Sequence, residues 1–387
     1  MRIGRRRGRA AEDLPASAGT PRNGRKPPQR PARRGKERGR RGGGLRWKRR
    51  ADCRTTKWYA VQEPAPASAA GGGDGERGAV VFGELIVWYL FLGGTAAGSF
   101  AVLSAIDLHT AFSRANGPCL ARAPRGYRGR RACSMTQRRI AQTGYAAAFV
   151  LLVAGMLCLL ADLGRPEAFY LLFLYPTGSF VSVGTFALTL FGACLVVALA
   201  ESVLTLGPAW ERAALVAKAL GAALAVVVMV YTGLLLKSVV AVDLWQSAWL
   251  PVLFLFSALS CGCGVVLSCT CFCTSFPGVL AWVRGLAVAD AVFIVLEALA
   301  AAAYAATANA ASAGRPFDAL LAGDQSGVFW LGFVGCGILA PLAIEASALA
   351  ARRSHRGSVV AVLAVLVLVG GLSLRFVLVN AGVQTAV

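Results

Sequence analysis

The residue types suited to chemistry gather where one long apolar run ends: Tyr231-Thr232-Gly233-Leu234-Leu235-Leu236-Lys237 leads into Asp243-Leu244-Trp245-Gln246-Ser247. A phenol, an ammonium and a carboxylate are costly to place at a hydrocarbon boundary, so such a group is by default a candidate site. A phenol can donate a hydrogen bond to a quinone carbonyl, and a neighbouring carboxylate can take up or release the accompanying proton. The same residues also suit an interfacial anchor, because Tyr and Trp form belts at headgroup level and Lys reaches water along its apolar stem. Residue types alone leave both readings open.

The elements that must position these groups are membrane helices. Apolar residues make up 56% of the chain and charges are thin beyond residue 77, which excludes an ordinary water-soluble domain. Eight apolar runs, at 80–106, 140–161, 178–204, 213–236, 249–273, 286–309, 328–351 and 358–382, are each long enough to cross roughly 30 Å of hydrocarbon. The expected fold is all-α and polytopic, with eight transmembrane helices divided between 78–240 and 241–387. No sequence repeat relates the two halves. Gly94 and Gly98 in the first run have the spacing that lets a neighbouring helix approach closely.

Residues 1–77 differ, holding 22 Lys/Arg against 7 Asp/Glu in runs such as Arg5-Arg6-Arg7 and Arg49-Arg50. So basic a segment cannot bury a core and is expected to be disordered. It has no apolar stretch of the signal-peptide kind. An arm for anionic lipid or nucleic acid is one reading; an over-extended start is another, and the loops favour the second.

The loop after the first run carries Arg114, Arg122, Arg125, Arg128, Arg130, Arg131, Arg138 and Arg139, and later odd-numbered loops add Arg212, Lys218, Arg284, Arg352, Arg353 and Arg356. Even-numbered loops offer Arg165, Lys237 and Arg315. By the positive-inside rule the odd loops are cytoplasmic and both termini face outward, where a heavily basic tail does not belong. No nucleic-acid partner is expected.

This topology collects the first candidates on the outer face: Glu84, Trp88 and Tyr89 at the start of run one, Asp162-Leu163-Gly164-Arg165-Pro166-Glu167 after run two, and Tyr231 with Lys237 at the end of run four. Glu84 and Asp162 are candidate proton acceptors, since partial burial suits a carboxylate to that role. Asp162, Arg165 and Glu167 equally suit a loop-fixing ion pair.

A second set lies deeper: Asp290 and Glu297 in run six, Glu345 in run seven, Arg375 in run eight. Asp290 and Glu345 fall toward the cytoplasm, Glu297 near the midplane and Arg375 toward the outside. They read as buried ion pairs, with Glu297 and Arg375 roughly 7 Å apart in depth at 1.5 Å per residue, or as a proton path; pairing is the preferred expectation. A secondary transporter built around these midplane charges is the rival function, and an anchor without quinone chemistry is a third.

Most of the eleven cysteines sit in apolar runs, where Cys behaves as a small hydrophobe. In Cys261-Gly262-Cys263 and Cys269-Thr270-Cys271-Phe272-Cys273 a spacing of two sends helical side chains to opposite faces, so no metal site or iron–sulfur cluster is expected. The two histidines, His109 and His355, fall at or beyond helix ends, so no haem is expected.

Four segments carry a resemblance: Trp88-Tyr89-Leu90-Phe91-Leu92-Gly93-Gly94 with Ala97-Gly98; Leu160-Ala161-Asp162-Leu163-Gly164-Arg165-Pro166-Glu167; Ser182-Val183-Gly184-Thr185; and Tyr231-Thr232-Gly233-Leu234 followed by Leu244-Trp245. In their order and spacing, over about residues 81–387, the chain resembles the NrfD/PsrC family of quinone-reactive membrane subunits of iron–sulfur molybdoenzyme complexes. The resemblance implies two four-helix bundles in a bacterial cytoplasmic membrane and outward termini. It also implies exchangeable quinone, menaquinone or ubiquinone, at the outer face of the first bundle. The implied partners are a ferredoxin-like iron–sulfur subunit and a molybdopterin catalytic subunit. Tyr231 matches the helix-four tyrosine near the quinone head group. Tyr89 falls where some members have a histidine, leaving Glu84 or Asp162 as proton partner. The expected quinone site is thus Tyr231, Tyr89, Glu84, Asp162 and Lys237.

Overall fold

The computed structural model describes residues 46–50, 57–61, 74–116, 127–162, 180–204, 207–238, 243–271, 279–311, 325–350 and 357–386. The chain divides into two units, Met1–Gly71 and Gly72–Val387.

In the first unit, β1 (Arg46–Arg50) and β2 (Lys57–Val61) pair antiparallel, with Trp47 opposite Ala60 and Arg49 opposite Trp58. Both strands fall within the basic segment 1–77, of which the structure describes 46–50, 57–61 and the residues from Asp74. Trp47, Trp58, Tyr59 and Val61 have strand-favouring side chains, although a lone two-stranded ribbon is only marginally stable in water. The last residues of the basic segment, from Asp74, already belong to the first helix.

The second unit is helical. Its elements are α1 (Asp74–Asn116), α2 (Tyr127–Asp162), α3 (Phe180–Val203), α4 (Pro208–Lys237), a 3₁₀ turn (Asp243–Gln246), α5 (Leu250–Cys271) and α6 (Val279–Ala311). There follow α7, wound as a π-helix over Val328–Leu339 and as an α-helix over Ala340–Ala350, and α8 (Gly357–Ala386). All eight helices contain a stretch long and apolar enough to cross a membrane. The protein is therefore a multi-pass, all-α membrane protein, and each span overlaps the expected one, with ends shifted by at most seven residues.

Local signals set the ends where the sequence offers them. Gly207 is extended, Pro208 opens α4 where a missing N–H costs nothing, and Glu211 and Lys237 sit at the ends whose dipole each complements. Ser238 closes the helix with its N–H on the Leu234 carbonyl at 2.9 Å.

Residue size decides which helices are central. In the apolar spans of α1 and α5, 72% and 78% of residues are buried, against 28–33% in α2, α3, α4, α6 and α7. Those two spans carry Gly93, Gly94, Ala96, Ala97, Gly98 and Ser99, and Ser257, Ala258, Ser260, Cys261, Gly262, Cys263 and Gly264. Small side chains let backbones meet, and packing replaces the hydrophobic effect as the force between helices in lipid. A Cβ on Gly98 would strike the Ala258 carbonyl, and one on Gly262 would strike the Gly98 backbone. The glycine spacing read from the sequence is thus the α1–α5 contact.

Helices α1 to α4 are neighbours in chain order, and α4 returns to α1; α5 to α8 are likewise neighbours, and α8 returns to α5. The two rings meet through α1 and α5, with α4 against α5 and α1 against α8. The π-winding of α7 has no sequence signal that the hydropathy pattern captures. It faces α8, where Gly337 meets Gly370 and Gly332 lies against Ser373.

Candidate functional site

Of the five expected quinone-site residues, the structure brings two phenols together. Tyr89 on α1 and Tyr231 on α4 are both buried, and the rings lie within electrostatic reach of each other. Glycines shape the space around them. A side chain on Gly184 of α3 would collide with the Tyr231 ring, and Gly93 lies one turn below Tyr89, its Cβ position 3.9 Å from that ring. Within the Ser182–Thr185 segment singled out in the sequence, Gly184 is the residue that meets Tyr231. Trp88, next to Tyr89, points outward and packs edge-on against Phe91.

The remaining three are placed less closely. Asp162 ends α2, half-buried, with Oδ1 buried and without a partner among the described residues. Lys237 ends α4, half-buried, and its carbonyl accepts a hydrogen bond from Gln246 Nε2 at 3.2 Å. Glu84 lies in α1; its side chain and that of Asp243 are outside the described ones, as are Arg165, Glu167 and His355.

Trp245, grouped with the pocket in the sequence, does other work. It is buried, its Nε1 donates to the Leu378 carbonyl on α8 at 2.9 Å, and its ring fills the space left by Gly382. The Tyr304 hydroxyl on α6 donates to the Leu244 carbonyl at 2.8 Å. The polar loop after α4 is thereby fastened to α6 and α8, and Trp245 is a structural peg.

The deeper set forms a column. Arg375 is fully buried; Nε donates to the Leu90 carbonyl at 3.3 Å, and Nη1 donates to Ser257 Oγ at 3.1 Å and the Gly371 carbonyl at 2.8 Å. Its guanidinium stands over the Phe254 and Phe91 rings at 5.3 and 5.8 Å. Gly94 makes the room: a Cβ there would lie 3.1 Å from Nη2. Ser257 also engages Glu297. The direct Glu297–Arg375 ion pair expected from the sequence is replaced by this serine bridge, because the guanidinium turns instead to the α1 and α8 backbones and two aromatic faces. Asp290 takes a hydrogen bond from Ser260 Oγ at 2.8 Å on Oδ1, and its Oδ2 is unpartnered. Both Glu345 oxygens are buried and unpartnered, within electrostatic reach of Asp290.

The structure also contains a polar cluster that sequence reasoning missed. Lys218, counted as a loop charge, lies inside α4 and is buried. Nζ meets Asp107 Oδ2 at 2.7 Å and Glu201 Oε2 at 2.8 Å. Tyr145 donates to Asp107 Oδ2 at 3.1 Å and Gln137 Nε2 to Oδ1 at 3.1 Å, so every helix from α1 to α4 contributes to the network. Asp107 and Glu201, two carboxylates near the ends of apolar spans, were the available signal: each needs a partner there.

Comparison with known proteins agrees with this architecture. The family model described as "Polysulphide reductase, NrfD" matches residues 74–387. The C subunit of polysulfide reductase from Wolinella succinogenes is 29% identical over 325 residues, covering 78% of this sequence and 94% of that protein. The family match begins where α1 begins and takes in all eight helices; the protein belongs to the NrfD family of polysulphide reductase.

Proposed function

We propose that this subunit binds membrane quinone and passes electrons between it and an iron–sulfur partner, anchoring a molybdoenzyme-type oxidoreductase on the outer face of a bacterial cytoplasmic membrane. The observation carrying this reading is the buried phenol pair, Tyr89 and Tyr231, with the Tyr231 ring seated against Gly184 and the Tyr89 ring beside Gly93. A quinone offers two carbonyl acceptors on a flat apolar ring, and a phenol offers one donor on an apolar body. Family membership supports the partners, a ferredoxin-like iron–sulfur subunit and a molybdopterin catalytic subunit. The two rings of four helices support a division into two four-helix bundles, with the quinone site in the first. Asp162, whose buried Oδ1 lacks a partner among the described residues, and Glu84 are the candidates for proton exchange with the head group.

The test is Tyr231→Phe in the assembled complex. Loss of one hydrogen bond of about 1 kcal/mol predicts a quinol-linked rate lowered about five- to tenfold, while turnover with an artificial donor to the catalytic subunit is kept. Unchanged quinol-linked activity makes Tyr231 a packing residue and removes the main support for the proposal.

A further inference from the structure

Resting on the quinone reading above, we infer that Arg375 is a positioning residue for the quinone site: from α8 it fixes the Leu90–Gly94 turn of α1, and through that turn the place of the Tyr89 phenol. Tyr89 and Gly93 lie on one face of this stretch, the Tyr89 ring 3.9 Å from the Cβ position of Gly93. Leu90 and Gly94 lie about 100° further round the helix, the angle by which each residue advances.

Arg375 takes hold of this second face. Its Nε donates to the Leu90 carbonyl at 3.3 Å, its guanidinium stands 5.8 Å from the centre of the Phe91 ring, and its Nη2 lies 3.1 Å from where a Gly94 Cβ would be. The Leu90 carbonyl already accepts the helical bond from the Gly94 N–H, and its second lone pair serves Arg375. A backbone acceptor gripped in this way fixes both the depth and the rotation of α1, and the phenol on the neighbouring face is fixed with them. Tyr231, the other phenol, is set from elsewhere, by Gly184 of α3.

The guanidinium can serve as a fixed point because it is itself held. Nη1 donates to the Gly371 carbonyl on α8 at 2.8 Å and to Ser257 Oγ on α5 at 3.1 Å, and the Phe254 ring lies 5.3 Å away. A planar fork loses little further freedom in making such bonds. Arg375 is fully buried, yet among the described residues the ion pairs are those of Lys218 in the other ring. A buried cation is an expensive way to join helices, when a leucine would pack without the desolvation cost. What a leucine cannot do is bond one chosen carbonyl, and the carbonyl chosen belongs to the residue after Tyr89.

The experiment uses the assembled complex in detergent, with a short-tailed naphthoquinol and a short-tailed benzoquinol as substrates and rates normalised to turnover with an artificial donor to the catalytic subunit. Arg375→Lys keeps the charge and an apolar stem but loses the fork. Gly94→Ala keeps Arg375 and brings a methyl group to 3.1 Å from Nη2, tight enough to displace the guanidinium, while replacing a helix-interior glycine by a better helix former. Each is expected to raise the KM for quinol about fivefold, the worth of one hydrogen bond, with kcat within about twofold of wild type. In a Tyr89→Phe background, where the hydroxyl is gone, neither should add more than about twofold, because effects that act through one group do not add. A purely structural Arg375 predicts a lower Tm for Arg375→Lys, a Tm at or above wild type for Gly94→Ala, and the wild-type KM in both; that KM overturns the inference. Gly94→Ala alone decides it if Arg375→Lys does not assemble. A full fivefold rise retained in the Tyr89→Phe background also overturns it, since Arg375 then acts by a route other than Tyr89. A wild-type complex that turns over with the artificial donor but with neither quinol overturns the quinone reading and this inference with it.

Discussion

The two rings of helices each bury ionisable side chains, and they treat them in opposite ways. In α1 to α4, Lys218 sits between Asp107 and Glu201, and Asp107 takes further bonds from Tyr145 and Gln137. In α5 to α8, Asp290, Glu297, Glu345 and Arg375 lie along one line, yet among the described residues the ion pairs are those of Lys218. A charge taken out of water is tolerated when geometry and extra hydrogen bonds compensate it, and removal of one partner then leaves the rest exposed to the full desolvation cost. A saturated network thus acts as a lock between helices. An unsaturated line, with Asp290 Oδ2 and both Glu345 oxygens unpartnered among the described residues, provides no such coupling between helices.

The largest expected effect breaks the lock. Lys218→Met keeps the length and apolar stem of the side chain but leaves two carboxylates facing each other, and should cost about 3–5 kcal/mol. Thermal unfolding of the purified protein in detergent would register it as a large fall in Tm. A shift no larger than that of an ordinary lipid-facing substitution would mean that the cluster is hydrated and contributes little.

Trp245 tests the same logic with a neutral group. Trp245→Phe removes the bond to the Leu378 carbonyl and part of the ring that fills the gap at Gly382, for an expected loss of about 1 kcal/mol. Because the indole is a peg rather than a pocket wall, the apparent KM for quinol in the assembled complex should stay at the wild-type value. A raised KM would return Trp245 to the site.

What could be read from the sequence follows from how local each signal is. Hydropathy over a span depends on the span alone, so all eight helices were legible. So was the Gly94/Gly98 approach, since the spacing of two small residues on one helix already defines the face. Which neighbour a buried charge selects is a tertiary fact. Asp107, Glu201 and Lys218 come from three helices, and Lys218, although inside the run at 213–236, was counted with the loop cations because it lies near the start of that run, where a lysine can reach water. Arg375 and Glu297 were placed at compatible depths, but depth ignores azimuth. The guanidinium turned to backbone carbonyls on α1 and α8, which every sequence supplies and none advertises. The π-winding of Val328–Leu339 is likewise invisible to an average of hydropathy.

The serine bridge sharpens the contrast further. With Ser257 between them, Glu297 and Arg375 should couple weakly, by about 1 kcal/mol or less in a cycle of Glu297→Leu, Arg375→Leu and the double variant. Near-additivity makes the double the least stable of the three. A direct ion pair predicts the reverse, a double more stable than either single, and that result in thermal melts would show the two groups meeting in the membrane.

The smallest expected effect is the counterpart of Lys218→Met on the unsaturated side. Asp290→Asn is nearly isosteric, and the amide oxygen can still accept the bond from Ser260. The amide nitrogen takes the place of Oδ2, which has no partner to lose. No ion pair is broken. The stability change should stay within about 0.5 kcal/mol of zero, the range of an undemanding substitution, even though Asp290 is fully buried and Lys218 is not more so. If Asp290→Asn melts as far below the wild type as Lys218→Met does, burial alone governs both sites, and the distinction between a saturated lock and an unsaturated line has no energetic basis.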